Sequence, residues 1–430
     1  LKAFKINHKV FCNNLQIFHF SEIMAEANKK QIDCFNINMK FWRFLGVWPS
    51  GVTWPYYEYY SKFFMTFFIL FYDFLRYPNF LFLPRQIDKF VEEFMFYFPE
   101  LTVASKVLTF LMMHDKIVKI MDTLESNMFQ PSTEHELKII NEAKKFNKKY
   151  FKIMVAFSVT AFFTHVLSPL IKHIILHIEL ELPLCSYSFI PDKIREKFIY
   201  PLYAYQVIGM HFKMLFNLSI DTYLIGLIIL TIAQLDIIDE KLRSVTDVVS
   251  LVEPNTSFVL PRHKTSLDDA IFDKYLVNKL NGCIIHFDEI GKFCSLIQEV
   301  FSMTLFVQFS MASCIICICL FKFTVPAPWQ YYIFLAGYMV VMVSQILVPC
   351  WFGTRIIDKS NELGMAVYNC DWTPRSRRFK SNLRLLVEKT CRPLSIIGGK
   401  MFPLSLITFT SIMNSAYSFF TLLRHMQSRQ

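Results

Sequence analysis

The residues of this chain best suited to chemistry stand near its end. In the stretch KMFPLSLITFTSIMNSAYSFFTLL, Lys400 to Leu423, and just past it, Thr408, Ser411, Ser415, Ser418, Leu422 and His425 fall on one helical face at about 100° per residue. Phe409, Ile412, Met413, Phe419, Phe420 and Leu423 point elsewhere. A hydroxyl stripe on an apolar helix can face water without stranding dipoles in lipid, and a leucine within it can form a hydrophobic constriction. Such residues also let helices pack closely and bond back to their own carbonyls, so the stripe alone leaves a pore wall and a packing seam both open.

Enzyme chemistry finds no footing. There is no Walker loop, no HExxH, no nucleophile elbow and no Gly-rich dinucleotide turn. No catalytic residue, cofactor or metal is therefore expected. His173 and His177 are spaced i, i+4 but lack a third ligand, and the CIICIC run with Cys314, Cys317 and Cys319 reads as small apolar packing. Two charges stand out in the apolar stretch MHFKMLFNLSIDTYLIGLIIL: Lys213 and Asp221. Eight residues apart they lie about 80° from each other, so they do not pair directly, and each calls for another partner or water.

The elements that must position these residues are membrane helices. The chain has 430 residues, 53% of them hydrophobic, 46 of them Phe, and its apolar runs continue for about 20 residues without the alternation of barrel strands. Spans are expected near Tyr60–Leu81, Phe94–Met113, Tyr150–Ile171, Pro201–Leu235, Leu296–Phe321, Trp329–Phe352 and Lys400–Leu423. The fold class is all-α, a polytopic membrane protein with seven transmembrane helices. The first twenty residues lack a secretory signal pattern, which leaves the first span as its own targeting signal. An amphipathic helix is expected over Ser376–Ile397, where Leu383, Leu386, Val387 and Leu394 recur at helical spacing. With continuations of helices four, five and six it would form a compact bundle beyond the membrane.

The formal charge of +10 is spread over loops, which argues against nucleic acid. Lys and Arg concentrate before the first span and in the segments 114–149, 236–295 and 353–400, so the positive-inside rule places the N-terminus in the cytoplasm and the C-terminus outside. The chain then divides into a cytoplasmic N-terminal segment (1–59), helices one to six with the ligand-binding region (60–352), a cytoplasmic loop with its amphipathic helix (353–399) and a pore-lining helix with a short external tail (400–430).

A cavity for a small apolar ligand needs aromatic and apolar walls with a few polar groups. The outer halves of spans two, three, four and six offer Tyr97 and Phe98; Ser158, Ala161 and His165; Met210 and Met214; and Tyr331, Phe334 and Tyr338. Helix packing explains any one of these equally well.

The stretch GKMFPLSLITFTSIMNSAYSFFTLL closely resembles the final helix of insect odorant receptors, and FWRFLGVWP resembles the same family's N-terminal region. The likeness runs from about Phe41 to His425 in span order, orientation and loop sizes. It implies a tetrameric, odorant-gated cation channel in which a ligand-tuning subunit joins a co-receptor in the plasma membrane of olfactory neurons. It also implies that the seventh helix lines the pore, that small volatile odorants bind among helices two, three, four and six, and that the gate falls on Leu422 with Met426 a turn further out. Related gustatory receptors end in Thr-Tyr, an apolar run and Gln-Phe, where this chain has Ser418, Phe419 and then Arg424 and His425. The co-receptor's longer loop between spans four and five has no counterpart here, which favours a tuning subunit.

Two other classes compete. A G-protein-coupled receptor shares the span count, but the inverted orientation, the lack of Asp-Arg-Tyr after span three and the lack of Asn-Pro-x-x-Tyr in span seven speak against it. A transporter predicts an internal repeat with paired helix breaks, which the chain does not display.

Overall fold

A computed structural model describes residues 30–49, 51, 54–82, 87–177, 179–245, 266–370 and 372–427. The N-terminal stretch before Lys30 and the side chain of Met426 lie outside the described residues. A 3-10 turn, Gln31–Phe35, leads into α1, Asn36–Phe44. The first span is α2, Tyr57–Met65, continued by a π-helical turn at Thr66–Phe71 and a short turn at Tyr72–Phe74 into α3, Arg76–Phe82. Then come α4, Ile87–Met112; α5, His114–Leu124; α6, Glu134–Leu176; α7, Asp192–Lys197; α8, Ile199–Arg243; and α9, Ser266–Lys322. The last helices are α10, Trp329–Asn369; α11, Arg377–Thr390; and α12, Leu406–Gln427.

Among the described residues, α4, α6, α8, α9, α10 and α12 are long and apolar enough to cross a membrane. The expected first span forms too, but the π turn and a break at Leu75 interrupt it. The centre of the bundle is α8, 78% buried over its membrane-length window, as expected of a helix enclosed by others. The FWRFLGVWP motif packs against it. Trp42 meets Phe110 and Tyr223 edge-to-face at 4.8 and 4.9 Å, while Asn38 Nδ2 donates to Ser219 O and Thr222 Oγ1. Gly46, at φ +78, turns the chain there, with Ser61 Oγ donating to its carbonyl at 2.5 Å.

Beyond the membrane-length stretches, α8, α9 and α10 continue together, and α9 and α10 pack against α11, at one end of the molecule, here called basal; the opposite, apical end carries the segment from Glu179 to α7. Ser376 caps α11, its Oγ accepting from Phe379 N at 3.2 Å, and the helix buries Phe379, Leu383, Leu386 and Thr390. It stops at Thr390, short of the expected Ile397, because Pro393 follows; Leu394 lies in the connection, its amide held by Ser360 Oγ at 3.0 Å. Asp288 receives Lys389 at 2.5 Å and Asp236 receives Lys359 at 3.0 Å across this bundle. His286 is buried there, with Nε2 3.0 Å from Gln234 Oε1. Burial, with Lys241 adding repulsion, pushes its imidazole down to about 4.

The final helix also departs from expectation. It begins at Leu406, since Gly399 and Lys400 both take φ near +60 and the residues around them form a small antiparallel pair, β1 Ile397–Gly398 and β2 Phe402–Pro403. Ser405 Oγ accepts from Thr408 N at 3.2 Å, an N-terminal cap. Leu406 N donates to Thr354 Oγ1 of α10 at 2.9 Å.

Candidate functional site

The apical halves of α4, α6 and α10 meet through rings. Phe96 of α4 stands 5.5 Å from His165, 6.3 Å from Phe334 and 6.1 Å from Tyr338. His165 of α6 stacks on Phe334 at 5.7 Å, and Phe334 stacks on Tyr338 one helical turn away at 6.0 Å. Each polar tip in the cluster is engaged: His165 Nε2 lies 3.0 Å from Pro183 O, and Tyr338 Oη donates to Met95 O at 2.8 Å. Tyr331 borders the group, 6.4 Å from Phe334. Of the residues singled out from sequence, the structure thus gathers His165, Tyr331, Phe334 and Tyr338.

The other expected ligand residues stand elsewhere. Tyr97 turns to Tyr77 and lies under the Arg76 guanidinium, 5.6 Å from its ring, while Phe98 stacks on Phe94 at 5.4 Å. Ser158 is half-buried and Ala161 exposed on α6; Met210 and Met214 are half-buried on α8. Phe96 replaces Tyr97 and Phe98 as the ring of α4 that faces the cluster. Its signal was the helical face through Met95, Thr102, Val103, Lys106 and Phe110, all buried, beside which Phe96 falls and from which Tyr97 turns away.

On α12, Ser411, Ser415 and Ser418 are exposed, followed by Leu422 at 55% exposure and an exposed His425. Thr408 leaves the stripe: it is buried and its Oγ1 donates to Pro403 O at 2.6 Å. With Thr410 and Asn414 the serines line a shallow hollow of about 510 Å³. Ser415 and Ser418 also bond back to the carbonyls of Ser411 and Asn414, both at 2.9 Å, so the hydroxyls are satisfied within the helix and still turned outward.

Comparison with known proteins decides the family. The sequence pattern of the 7tm Odorant receptor family matches residues 86–417. The chain belongs to the 7tm odorant receptor family. Odorant receptor 67c of Drosophila melanogaster is 32% identical over 152 residues, covering 35% of this chain and 37% of that receptor. Odorant receptor 59a of the same fly is 26% identical over 229 residues, 52% of this chain and 55% of its relative. The chain thus matches about half or less of the length of these relatives. Its fold is that of the insect olfactory receptor OR5 from Machilis hrabei, solved in complex with eugenol: TM-score 0.72, 14% identity, 91% of this chain and 97% of that one covered. The protein is a helical, multi-pass membrane protein of the insect chemoreceptor family, which is one of receptors rather than enzymes.

Within the receptor, both unexplained charges have partners on other helices. Lys213, 3% exposed, is ion-paired with Asp73 of the first span and Glu100 of α4, and its ammonium stands 4.7 Å from the Tyr72 ring centre. Asp221 takes Lys106 of α4 at 2.5 Å, and Asn217 Oδ1 takes the same lysine at 2.6 Å. Sequence reasoning excluded a Lys213–Asp221 pair correctly and missed Glu100 and Lys106. Their spacing of six on α4 answers eight on α8, with acid and base exchanged, which ties two helices running in the same direction. Apically, Arg76 donates to Phe96 O at 3.1 Å and lies 3.8 Å from Glu93, linking the charges to the aromatic cluster. His173 meets Tyr200 Oη at 3.1 Å; among the described residues no group of three or more metal-ligating side chains comes together.

Proposed function

We propose that this receptor is the ligand-tuning subunit of an odorant-gated cation channel. It joins a co-receptor in a hetero-tetramer in the plasma membrane of olfactory neurons, with the basal bundle in the cytoplasm. The observation that carries this reading is the patch of four polar side chains within eight residues of α12, a helix left uncovered by the rest of the chain. By comparison α6, 6% buried over its membrane-length window, exposes Ile153, Phe157, Phe163 and Leu167, which suit lipid, with Thr160, Thr164 and Ser168 set one turn apart among them. The corresponding window of α12 is 11% buried, yet it turns Ser411, Asn414, Ser415 and Ser418 outward. A polar face on an uncovered membrane helix fits water or a pore better than lipid.

In this reading Leu422 is the constriction, with Met426 a turn beyond, and small volatile, mostly apolar molecules bind around Phe96, His165, Phe334 and Tyr338. Tyr97, Phe98, Ser158, Ala161, Met210, Met214 and Tyr331 remain the outer candidates. The Machilis receptor's complex with eugenol supports small-molecule binding by this fold. Ligand binding favours an open arrangement by fitting it better, and the population shifts accordingly. The basic residues of the basal bundle, Arg377, Arg378 and Lys380 among them, support its cytoplasmic placement.

Thiol accessibility tests the polar face. In channels assembled with the co-receptor, a charged thiol reagent should block odorant-evoked current in Ser415→Cys and Ser418→Cys and leave Phe157→Cys unaffected. Insensitivity at both serine positions, with the cysteines expressed at the surface, refutes the pore assignment.

A further inference from the structure

A proline inside a helix removes one N–H and frees the carbonyl four residues before it. Pro349 lies inside α10, and the carbonyl it frees belongs to Gln345. That carbonyl has found another donor. Gln308 of α9, 4% exposed, donates from Nε2 to Gln345 O at 3.2 Å. The same arrangement recurs between α4 and α10: Pro99 frees Met95 O, and Tyr338 Oη takes it at 2.8 Å. In each case a bond within one helix has been exchanged for a bond between two.

The place of Pro349 gives the exchange a consequence. Phe334 and Tyr338 stand apically of it on α10, while Gly353 and Thr354 stand one turn basally and hold the start of α12. Thr354 Oγ1 accepts from Leu406 N at 2.9 Å. Gly353 lies so close to Leu404 that an added Cβ would come within 2.4 Å of its carbonyl oxygen. On one side of Pro349 the helix is therefore fixed to the aromatic cluster, and on the other to the base of α12.

We infer that the Gln345–Pro349 turn is a hinge in α10 and that Gln308 is the positioning residue that holds it. The hinge stands on this geometry; its effect on odorant sensitivity rests on the channel reading proposed above. A helix lacking one ladder bond bends more readily at that point, and the Gln308 bond from α9 resists the bend. Movement of Phe334 and Tyr338 then reaches α12 to an extent set by whether that bond is made.

The test is a double-mutant cycle on the full-length receptor in lipid nanodiscs, read by hydrogen–deuterium exchange over residues 343–353. Gln308→Met removes the donor at nearly constant shape, and one neutral hydrogen bond corresponds to about a fivefold change in an opening equilibrium, so exchange should rise about fivefold. Pro349→Ala returns an N–H to Gln345 O, and in that background Gln308→Met should change exchange less than about twofold. If Pro349→Ala does not express, Pro349→Leu restores the same N–H. Thr304→Val, which removes a 2.9 Å bond from α9 to Thr109 instead, should leave the segment unchanged. No effect of Gln308→Met, or an equal effect in both backgrounds, overturns the hinge. Odorant-evoked currents should follow the same pattern, with half-maximal concentration shifted only where Pro349 is present. A receptor with the expected exchange but no odorant current refutes the channel reading and leaves the hinge standing.

Discussion

Replacing Lys213 by methionine should unfold this receptor more readily than any single change to its lipid-facing surface. The substitution keeps a long apolar stem and deletes one charge. It leaves Asp73 and Glu100 without the ammonium that both share. Breaking a buried ion pair from one side typically costs about 3–5 kcal/mol. Asp73 retains 21% side-chain exposure and can recover some hydration, whereas Glu100 retains 10%, so the lower end, about 3 kcal/mol, is the appropriate figure. That corresponds to roughly a hundredfold shift in the folded-to-unfolded ratio. Fluorescence-detected thermal unfolding in detergent reads it, with surface expression as a second measure. The triple variant Asp73→Asn, Glu100→Gln, Lys213→Met removes all three charges together and should recover most of the loss. Lys106→Met should cost less, because it orphans one carboxylate rather than two, and Asp221 is 24% exposed against 10% for Glu100. A Lys213→Met protein that melts with the wild type, or a triple variant as unstable as the single, refutes the shared-ammonium argument.

The basal bundle predicts a pH dependence. His286 is held neutral, with its imidazole at about 4 against about 6.5 unfolded, so the unfolded chain binds the extra proton and stability is lost as pH falls from 6.5 towards 4, by about 3 kcal/mol in full. Thermal midpoints at pH 7.5 and 5 should separate less in His286→Gln than in wild type; equal separation contradicts the assignment. Gly353→Ala forces a Cβ onto Leu404 and should lower surface expression and current, consistent with an overpacking cost of about 1–3 kcal/mol, while Gly337→Ala, which meets nothing within 4 Å, should be tolerated; equal behaviour of the two refutes the clamp. Leu422→Ala should raise basal current or alter ion selectivity in the assembled channel, and unchanged recordings would remove Leu422 from the gate.

The long helices were legible because apolar runs of membrane length survive any detail of packing, and α11 was legible from the period of Leu383 and Leu386. Boundaries were less so. The break at Gly398 and Gly399 was visible, but a left-handed Lys400 and the β1–β2 pairing that carry it to Ser405 were not, although Ser405 three residues before Thr408 is a readable cap. The π turn at Thr66–Phe71 has no distinct composition. Partner choice was the deeper limit. Lys213 announced that it needed a carboxylate, yet which of Asp73 and Glu100 it meets depends on helix neighbours that no local pattern encodes. The site shows the same limit, since adjacent residues on α4 point about 100° apart, and Phe96 rather than Tyr97 or Phe98 faces His165 and Phe334. Gln308 gave no sign at all, because its role exists only once Pro349 has freed a carbonyl on another helix.

The most direct test is whole-cell current in cells expressing this chain with and without an insect odorant co-receptor, during exposure to an odorant panel and with G-protein signalling blocked. A rapid cation current that requires both chains and survives the block is the expected result. A response that the block abolishes would contradict a channel formed by this subunit.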